Sequence, residues 1–320
     1  MRGDRRRPVI LMYHRIAEPP VDPWGLAVSP ENFRSQLQVL KRKRTPLAMD
    51  NFVARLQKGT LPTDAVALTF DDGYLDNLEQ AKPILEAEQV PATVLVTTGW
   101  VGSQKLFWWD ELTRLILLSR DPIAADIEIE GERVAFDLGP ADDWEPRQTW
   151  RTWEPPRSER EKLYHDLWTR LQRLDDAERE RLVARLGAAL GDAKASREDR
   201  VMTRAELATL RSPMVEMGVH AVTHQPLTSM SLEKRRHEIA ESLATCEAIA
   251  GTAMTGFAYP HGDLDPATAG IVADMGFTWA VSTHSAAVDR KDYDRYALPR
   301  IMATDVSGDR LLTHIANEAA

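Results

Sequence analysis

Two short stretches of this chain carry side chains that together can bind a divalent metal ion and activate a water molecule. The first is Thr-Phe-Asp-Asp-Gly-Tyr at residues 69–74, where Asp71 and Asp72 follow an apolar run. The second is His-Ala-Val-Thr-His at residues 220–224, which follows another short, strand-like run. Two imidazoles and one carboxylate form a three-ligand set for a divalent metal and leave positions open for water and substrate. The other carboxylate is then available as a general base, so these residue types predict metal-assisted hydrolysis.

The elements that must position these side chains alternate between short apolar runs and amphipathic helical patterns, which is typical of parallel α/β architecture. The predicted strands are 9–13, 65–70, 92–97, 215–219, 255–259 and 277–282. Predicted helices follow Ser29, Ser231 and Asp265, whose side chains are of the kind that caps a helix N-terminus. This pattern predicts an α/β barrel or a doubly wound sheet. In either fold the chemistry lies at the carboxyl ends of the strands, where both motifs are found.

The middle of the chain, from about residue 106 to 205, differs from its flanks. Seven of the nine tryptophans lie between residues 100 and 168. We predict a mostly helical, tryptophan-rich insertion in a single catalytic domain formed by about 1–105 and 206–320. The tryptophans either pack this insertion onto the barrel or form a platform or lid for a sugar, because flat apolar rings stack well on sugar faces. Trp109 is the candidate for such a substrate contact.

Composition and charge are those of an ordinary soluble globular protein, with 43% hydrophobic and 28% charged residues in a chain of 320. The net charge of −9 argues against nucleic-acid binding and against adhesion to anionic membranes. The single cysteine, Cys246, excludes an internal disulfide and fits a reducing compartment. The apolar run 9–13 is too short for the core of a signal peptide or for a membrane span. We therefore expect a cytoplasmic protein that does not span a membrane.

Several motifs, in order along the chain, resemble those of the polysaccharide deacetylase family, also called the NodB-homology or carbohydrate esterase 4 deacetylases. The matching stretches are TFDDGY (69–74), HAVTH (220–224) and FAYPHGD (257–263). In addition, ILMYHRI (10–16) and LPRI (298–301) resemble the subgroup that deacetylates poly-N-acetylglucosamine. The resemblance covers both ends of the chain and leaves out the middle. It implies an irregular (β/α) barrel and the removal of an N-acetyl group from an amino sugar.

The resemblance also implies roles for the first two motifs. Asp72, His220 and His224 are predicted to bind one divalent metal ion. Zinc is the default for two imidazoles and a carboxylate, and cobalt, nickel or iron would also fit this ligand set. Asp71 is predicted to be the general base. Neighbouring side chains at a strand end point to opposite sides, so one carboxylate can bind the metal while the other reaches the water.

The leaving amine needs an acid, and two histidines are candidates. In the subgroup that this chain resembles, the acid is the histidine of an N-terminal Tyr-His pair, which is His14 here and directly follows a predicted strand. In other family members the acid comes from a C-terminal Leu-x-x-His, which the segment ending at His314 resembles. We predict that His14 is the acid.

The third motif and the late LPRI segment supply the remaining candidates. In the family the tyrosine of the third motif, Tyr259 here, uses its backbone N–H to bind the oxyanion, and such a donor lowers the barrier by roughly 3 kcal/mol. Many members also carry an arginine that orients the base, but Ala258 occupies that region here. Arg300 is our candidate replacement, with a structural salt bridge as the alternative. Trp279 is a candidate for the wall around the acetyl methyl group or else a core residue, and His261 is a candidate substrate contact.

The sequence therefore predicts a metal-dependent N-deacetylase that acts on an N-acetylated amino sugar or a related acylated small molecule. The lack of an export signal favours a small, nucleotide-linked or lipid-linked substrate over a wall polysaccharide. A deacylase or deformylase of a non-sugar amide is the alternative enzyme. An inactive carbohydrate-binding barrel is disfavoured because the proposed ligands and base are all present. An iron oxygenase with two histidines and one carboxylate fits the adjacent aspartates and the α/β pattern poorly.

Overall fold

The chain forms two compact units in a computed structural model that describes residues 6–103, 105–140, 148–191 and 199–319. The first unit comprises Met1–Glu18, Leu26–Ser103 and Val201–Ala320, and the second comprises Pro19–Gly25 and Gln104–Arg200. The second unit corresponds to the predicted insertion with slightly shifted bounds. It also includes residues 19–25, which the sequence assigned to the barrel.

The first unit is built on a parallel sheet that contains all six predicted strands. The strands of the chain are β1 (Val9–Tyr13), β2 (Arg15–Ile16), β3 (Ala27–Val28), β4 (Thr45–Pro46), β5 (Ala65–Phe70), β6 (Ala92–Val96), β7 (Ile123–Ile129), β8 (Glu132–Leu138), β9 (Val215–Val219), β10 (Gly256–Ala258), β11 (Trp279–Val281) and β12 (Ile301–Met302). The main sheet has the order β11-β10-β9-β6-β5-β1-β12, and β4 also pairs with β5. Every residue of β1, β5 and β6 is buried, as expected for parallel strands that are covered on both faces.

The segment that carries Arg300 contacts both edges of this sheet. On one side, β12 pairs with β1 through Leu11 and Ile301. On the other side, Leu298 forms a parallel bridge with Val281 of β11. The sheet therefore curls into the predicted irregular (β/α) barrel, and Arg300 lies in the segment that brings its two edges together.

Helices connect the strands, and three of them begin at the predicted capping residues. They are α1 (Pro30–Lys43), α2 (Met49–Gln57), α3 (Lys82–Glu88), α4 (Trp108–Leu112), α5 (Glu159–Leu171), α6 (Asp176–Leu190), α7 (Arg204–Leu210), α8 (Leu232–Ala250), α9 (Pro266–Asp274) and α10 (Gly308–Glu318). The side chains of Ser29, Ser231 and Asp265 each accept a backbone N–H in the first turn of their helix, which confirms three caps. Among the described residues, no helix is both long enough and apolar enough to cross a bilayer.

Apolar side chains fill the space on both sides of the sheet. On one side, α1 buries Phe33, Leu37 and Leu40, which lie at helical spacing, in a cluster that also contains residues of β1 and β5. On the other side, α2 buries Met49 and Phe52 among residues of the strands. Fully burying a side chain of this size contributes roughly 1.5–3 kcal/mol, so these two layers hold the strand ends in place.

The second unit contains α4, α5 and α6 and a β-hairpin that the sequence did not predict. Strands β7 and β8 pair in antiparallel register. They are joined by Glu130 and Gly131, which have φ values of 51° and 79°. Positive φ at both turn residues is what a two-residue type I′ hairpin turn requires. The prediction of a mostly helical insertion therefore holds for its helices but missed this hairpin.

Several tryptophans of the insertion pack inside the second unit. Trp150 is fully buried and Trp109 is 6% exposed, whereas Trp153 is 68% exposed. The ring of Trp109 stacks on Phe107 with centroids 4.4 Å apart. A sugar platform needs an open ring face, so the prediction that Trp109 contacts substrate is corrected to a packing role. Trp144 lies outside the described residues.

Candidate active site

Asp72, His220 and His224 meet at the carboxyl ends of β5 and β9 and form a buried cluster. The Oδ1 atom of Asp72 lies 3.6 Å from Nε2 of His220 and 3.3 Å from Nε2 of His224. The three potential ligand atoms all lie within 4.8 Å of one another. Two imidazoles and a carboxylate at this spacing fit a single divalent metal ion.

The tautomer of His220 suits a metal ligand. Its Nδ1 lies 2.8 Å from the backbone carbonyl oxygen of Ala258. A carbonyl only accepts hydrogen bonds, so Nδ1 carries the proton and Nε2 presents its lone pair towards Asp72. Burial lowers the pKa of His220, which favours the neutral form that a metal requires. Ala258 thus contributes to the site through its carbonyl group.

A sharp turn directs the two adjacent carboxylates to different partners. Both aspartates lie beyond Phe70, the last residue of β5. Asp72 and Gly73 then adopt φ values of 75° and 81°. The predicted alternation along an extended strand therefore does not separate the carboxylates. The left-handed turn separates them instead, so that Asp72 faces the histidines and Asp71 faces Arg300.

Arg300 holds Asp71 through a bidentate ion pair. Its Nη1 and Nη2 atoms donate to Oδ1 and Oδ2 of Asp71 at 2.6 and 2.7 Å. The same side chain donates from Nε to the carbonyl of Ser282 and from Nη1 to the hydroxyl of Thr69. Arg300 is fully buried. The structure therefore places Arg300 where the sequence proposed a residue that orients the base.

The ion pair also sets the charge of Asp71. Burial acts to raise the pKa of this carboxyl, but the Arg300 guanidinium, together with His220 and His14, outweighs burial and lowers the pKa to about 2. Asp71 is therefore ionised at neutral pH and accepts hydrogen bonds only.

His14 lies on the same rim as Asp71 because β1 pairs with β5. Burial lowers the pKa of His14 to about 4, the charge of Asp71 opposes this shift, and Arg300 and His220 add to it. The Nδ1 atom of His14 is buried, and no described residue forms a hydrogen bond with it. His14 thus lies close enough to Asp71 for the charge of the proposed base to act on its imidazole.

His314, the alternative acid, is engaged elsewhere. It lies in α10, and its Nε2 is 2.9 Å from the backbone carbonyl oxygen of Met302. This hydrogen bond ties the C-terminal helix to β12. The geometry therefore favours His14 as the acid.

Two residues that were not predicted from the sequence hold the segment around His14. Asp76 accepts the backbone N–H of Ile16 at 3.0 Å and the Nε–H of Arg15 at 2.9 Å. Asn77 donates from Nδ2 to the backbone carbonyl of His14 at 2.8 Å. Both follow the first motif within a few positions, and their short polar side chains after that motif were the available signal.

The structure corrects one role in the third motif and supports another. The backbone N–H of Tyr259 donates to the carbonyl of Val281 at 3.2 Å, and its hydroxyl donates to the carbonyl of Tyr296 at 2.8 Å. That N–H is part of the sheet and is not available for an oxyanion, so the prediction for Tyr259 is corrected. His261 is exposed, and its ring centroid lies 4.5 Å from that of His224. This position beside the cluster suits the predicted substrate contact.

Trp279 lies at the opposite end of the barrel from the cluster. It is the first residue of β11 and pairs with Gly256, the first residue of β10, whereas the cluster follows the last residues of the strands. Its indole N–H donates to Asp50 of α2 at 2.7 Å, and the residue is 1% exposed. Trp279 is therefore a core residue, and its predicted place in the acetyl pocket is corrected.

Known proteins share the motifs that build this site. A model of the polysaccharide deacetylase family matches residues 58–117 and 193–280, which contain both the aspartate pair and the two histidines. Over these two segments the chain resembles the polysaccharide deacetylase family. The gap between the two matched segments, residues 118–192, falls in the second unit, and the matches extend into both ends of the predicted insertion.

The curated relatives align with this chain over only part of their length. The chain is 33% identical over 89 residues to a poly-β-1,6-N-acetyl-D-glucosamine N-deacetylase of Staphylococcus aureus (strain MSSA476), which covers 28% of this chain and 31% of that protein. The enzyme of the same name from Staphylococcus epidermidis is 32% identical over 78 residues. These residues make up 24% of this chain and 27% of that enzyme. The chain thus spans less than a third of the length of these relatives.

Solved structures share the fold over nearly the whole chain. The Streptococcus pyogenes deacetylase PplD, solved in complex with acetate, superposes with a TM-score of 0.60 at 19% identity and covers 97% of this chain and 98% of its own. IcaB from Ammonifex degensii gives a TM-score of 0.57 at 17% identity, with 98% of each chain covered. At these identities the likeness establishes a common fold.

Proposed function

We propose that this protein is a metal-dependent N-deacetylase that removes acetyl groups from N-acetylglucosamine residues of a polymer. The buried cluster of Asp72, His220 and His224, with Asp71 held beside it by Arg300, carries this proposal. The match to the family model supports hydrolysis of an N-acetyl group. The curated relatives favour a polymeric substrate over the small intermediate expected from the sequence.

Asp72, His220 and His224 would hold the metal. Zinc is the default for this ligand set, and cobalt, nickel or iron would also fit. When bound, such a cation polarises a carbonyl group and lowers the pKa of a water molecule. The neutral tautomer of His220, fixed by the Ala258 carbonyl, prepares one of the ligands for this role.

Asp71 would accept the proton of the attacking water. It is ionised, and both of its oxygens are fixed by Arg300, so its orientation does not need to be set during the reaction. With a pKa of about 2, it is a weak base that contributes mainly through its position and charge.

His14 would protonate the leaving nitrogen. Because burial lowers its pKa to about 4, the free protein holds this imidazole neutral at pH 7. Negative charge that develops on the substrate oxygen nearby would favour the protonated form, so His14 would take up a proton from solvent during turnover. Asp71, with its low pKa, would release the proton of the attacking water to solvent. Asn77 and Asp76 would keep the His14 segment in place through the bonds described above.

Acetate release from a β-1,6-linked N-acetylglucosamine oligomer tests the proposal. The protein is stripped of metal, reloaded with zinc, cobalt, nickel or ferrous iron, and assayed alongside Asp71→Asn and His14→Ala. Loss of a positioned acid or base costs roughly 10²–10⁴-fold in rate, and both variants should still bind metal. His237→Ala is the matched control, because His237 pairs with Glu241 on the exposed face of α8.

Each outcome of this assay separates the alternatives. Full activity of Asp71→Asn would show that the base is another group. Release of formate or of another acid from a non-sugar amide, without acetate from the oligomer, would replace the deacetylase with a deformylase or deacylase. A metal-loaded protein that binds the oligomer and releases nothing would be an inactive carbohydrate-binding barrel.

A further inference from the structure

The segment that separates the two histidine ligands has an unfavourable backbone conformation. Ala221 and His224 have φ values of 60° and 56°, in the left-handed region that residues with a Cβ atom rarely adopt. Each such residue costs of order 1–3 kcal/mol and persists only where the surrounding structure holds it. Other parts of the protein must therefore supply the contacts that hold this segment.

Helix α8 holds the segment from one side. The Oε2 atom of Glu238 accepts the backbone N–H groups of Val222 and Thr223 at 3.0 and 2.8 Å. Ser242, one helical turn later, donates its hydroxyl to the carbonyl of Ala221 at 2.8 Å. Both side chains are buried, and residues four apart on a helix share one face. The pair thus contacts the three consecutive residues that lie between the two histidines.

The chain that follows β6 holds the same segment from the other side. The backbone N–H of Thr98 donates to the carbonyl of Ala221 at 3.1 Å, and that of Gly99 donates to the carbonyl of Val222 at 2.9 Å. A Cβ atom added at Gly99 would lie 2.6 Å from the Val222 oxygen. The segment is therefore held between the backbone after β6 and helix α8, and only α8 holds it through side chains.

We propose that Glu238 and Ser242 are positioning residues that pre-organise the two histidine ligands for metal binding. The inference rests on the metal site of the proposed function and goes beyond it, because it assigns part of the metal affinity to a helix that contributes no ligand. An ionised carboxylate that accepts two N–H bonds is a stronger anchor than a neutral group. Without it, the segment relaxes from its left-handed conformation and the two Nε2 atoms move away from their present spacing.

The test measures the zinc affinity of the full-length apo protein by competition with a chromogenic chelator. Glu238→Leu removes the acceptor, Glu238→Gln keeps an acceptor oxygen without the charge, and Ser242→Ala removes the second contact. Loss of a group that orients metal ligands typically weakens metal binding by about 10–100-fold. We expect this loss for Glu238→Leu, a smaller loss for Ser242→Ala and substantial recovery in Glu238→Gln. Glu241→Gln, on the exposed face of the same helix, should bind zinc like the wild type.

The visible absorption spectrum of the cobalt-loaded protein distinguishes positioning from general support of the fold. A purely structural role would lower the stability of the apo protein and leave the spectrum unchanged, whereas positioning predicts altered bands in Glu238→Leu. Wild-type zinc affinity and spectrum in folded Glu238→Leu would overturn the inference. If that variant does not fold, wild-type affinity in Ser242→Ala overturns it, and weakened affinity supports it.

The same titration keeps the two proposals apart. If the wild-type protein binds no divalent metal, the proposed function fails and this inference fails with it. If the wild type binds metal and the α8 variants bind it equally well, only the positioning role of Glu238 and Ser242 is lost.

Discussion

Replacing Arg300 with methionine should destabilise the protein through Asp71, by an amount that follows from the burial of both side chains. Arg300 is fully buried and Asp71 is 2% exposed, and two hydrogen bonds of 2.6 and 2.7 Å join them. Removing one partner of a buried ion pair leaves an uncompensated charge and typically costs about 3–5 kcal/mol. We expect Arg300→Met to lower the free energy of unfolding by an amount in that range at pH 7.

The cost should depend on pH, with a sign fixed by the shift in the Asp71 pKa. In the wild type this pKa is lowered from 3.8 to about 2. The carboxylate therefore contributes stability that is complete above pH 4 and is lost as the pH falls towards 2. The shift corresponds to about 2 kcal/mol. In Arg300→Met the effect of burial is no longer outweighed, so the pKa of Asp71 rises and the difference from wild type shrinks on acidification.

Urea unfolding of the metal-free protein measures these quantities. A double-mutant cycle with Asp71→Asn isolates the interaction, because the double variant has no buried carboxylate to leave unpaired. Arg310→Met, at an exposed position of α10, is the control for losing a guanidinium. We expect the double variant to be more stable than Arg300→Met alone. The reasoning is refuted if the change in unfolding free energy of the double variant equals the sum of the two single changes to within about 0.5 kcal/mol.

Three further predictions concern stability near the site. Gly99→Ala should destabilise the protein by about 1–3 kcal/mol, measured by urea unfolding, because the new Cβ would lie 2.6 Å from the Val222 oxygen; an unchanged midpoint would contradict this. Ser231→Ala should cost about 1 kcal/mol through the lost cap of α8 without weakening zinc binding, and a large loss of affinity would be inconsistent with a simple cap. Burial lowers the pKa of His14 from 6.5 to about 4, so its contribution to stability is present above pH 6.5 and is lost as the pH falls towards 4. Between pH 7 and pH 5, the free energy of unfolding of His14→Asn should therefore fall by about 2 kcal/mol less than that of the wild type. If it falls equally in the two proteins, His14 is not buried in a neutral form.

Much of the fold could be predicted because parallel strands buried on both faces are continuous apolar runs. All six predicted strands form, and the three helices with predicted caps begin at Ser29, Ser231 and Asp265. The β7–β8 hairpin was missed although Glu130-Gly131 and the alternation of Ile127 and Ile129 with acidic residues were available signals. Strand β12 has two residues, too few to give a pattern, so the strand that joins the two edges of the barrel was not predicted.

The candidate site was partly predictable for a similar reason. The metal ligands lie within short motifs, so local sequence indicated Asp72, His220 and His224. Local sequence cannot show that the carbonyl of Val281 in β11 accepts the backbone N–H of Tyr259. It also gives no sign that a glutamate on α8 faces inward, because acidic side chains on helices are ordinarily solvated.

The measurement that tests the central claim most directly is acetate release from the N-acetylglucosamine oligomer as a function of the equivalents of metal added to the apo protein. A single site formed by Asp72, His220 and His224 predicts that activity rises from near zero and reaches a plateau at about one equivalent. Asp72→Ala should show neither tight binding nor activity. Acetate release that is already full in the metal-free protein, or absent after one equivalent has bound, would contradict the account.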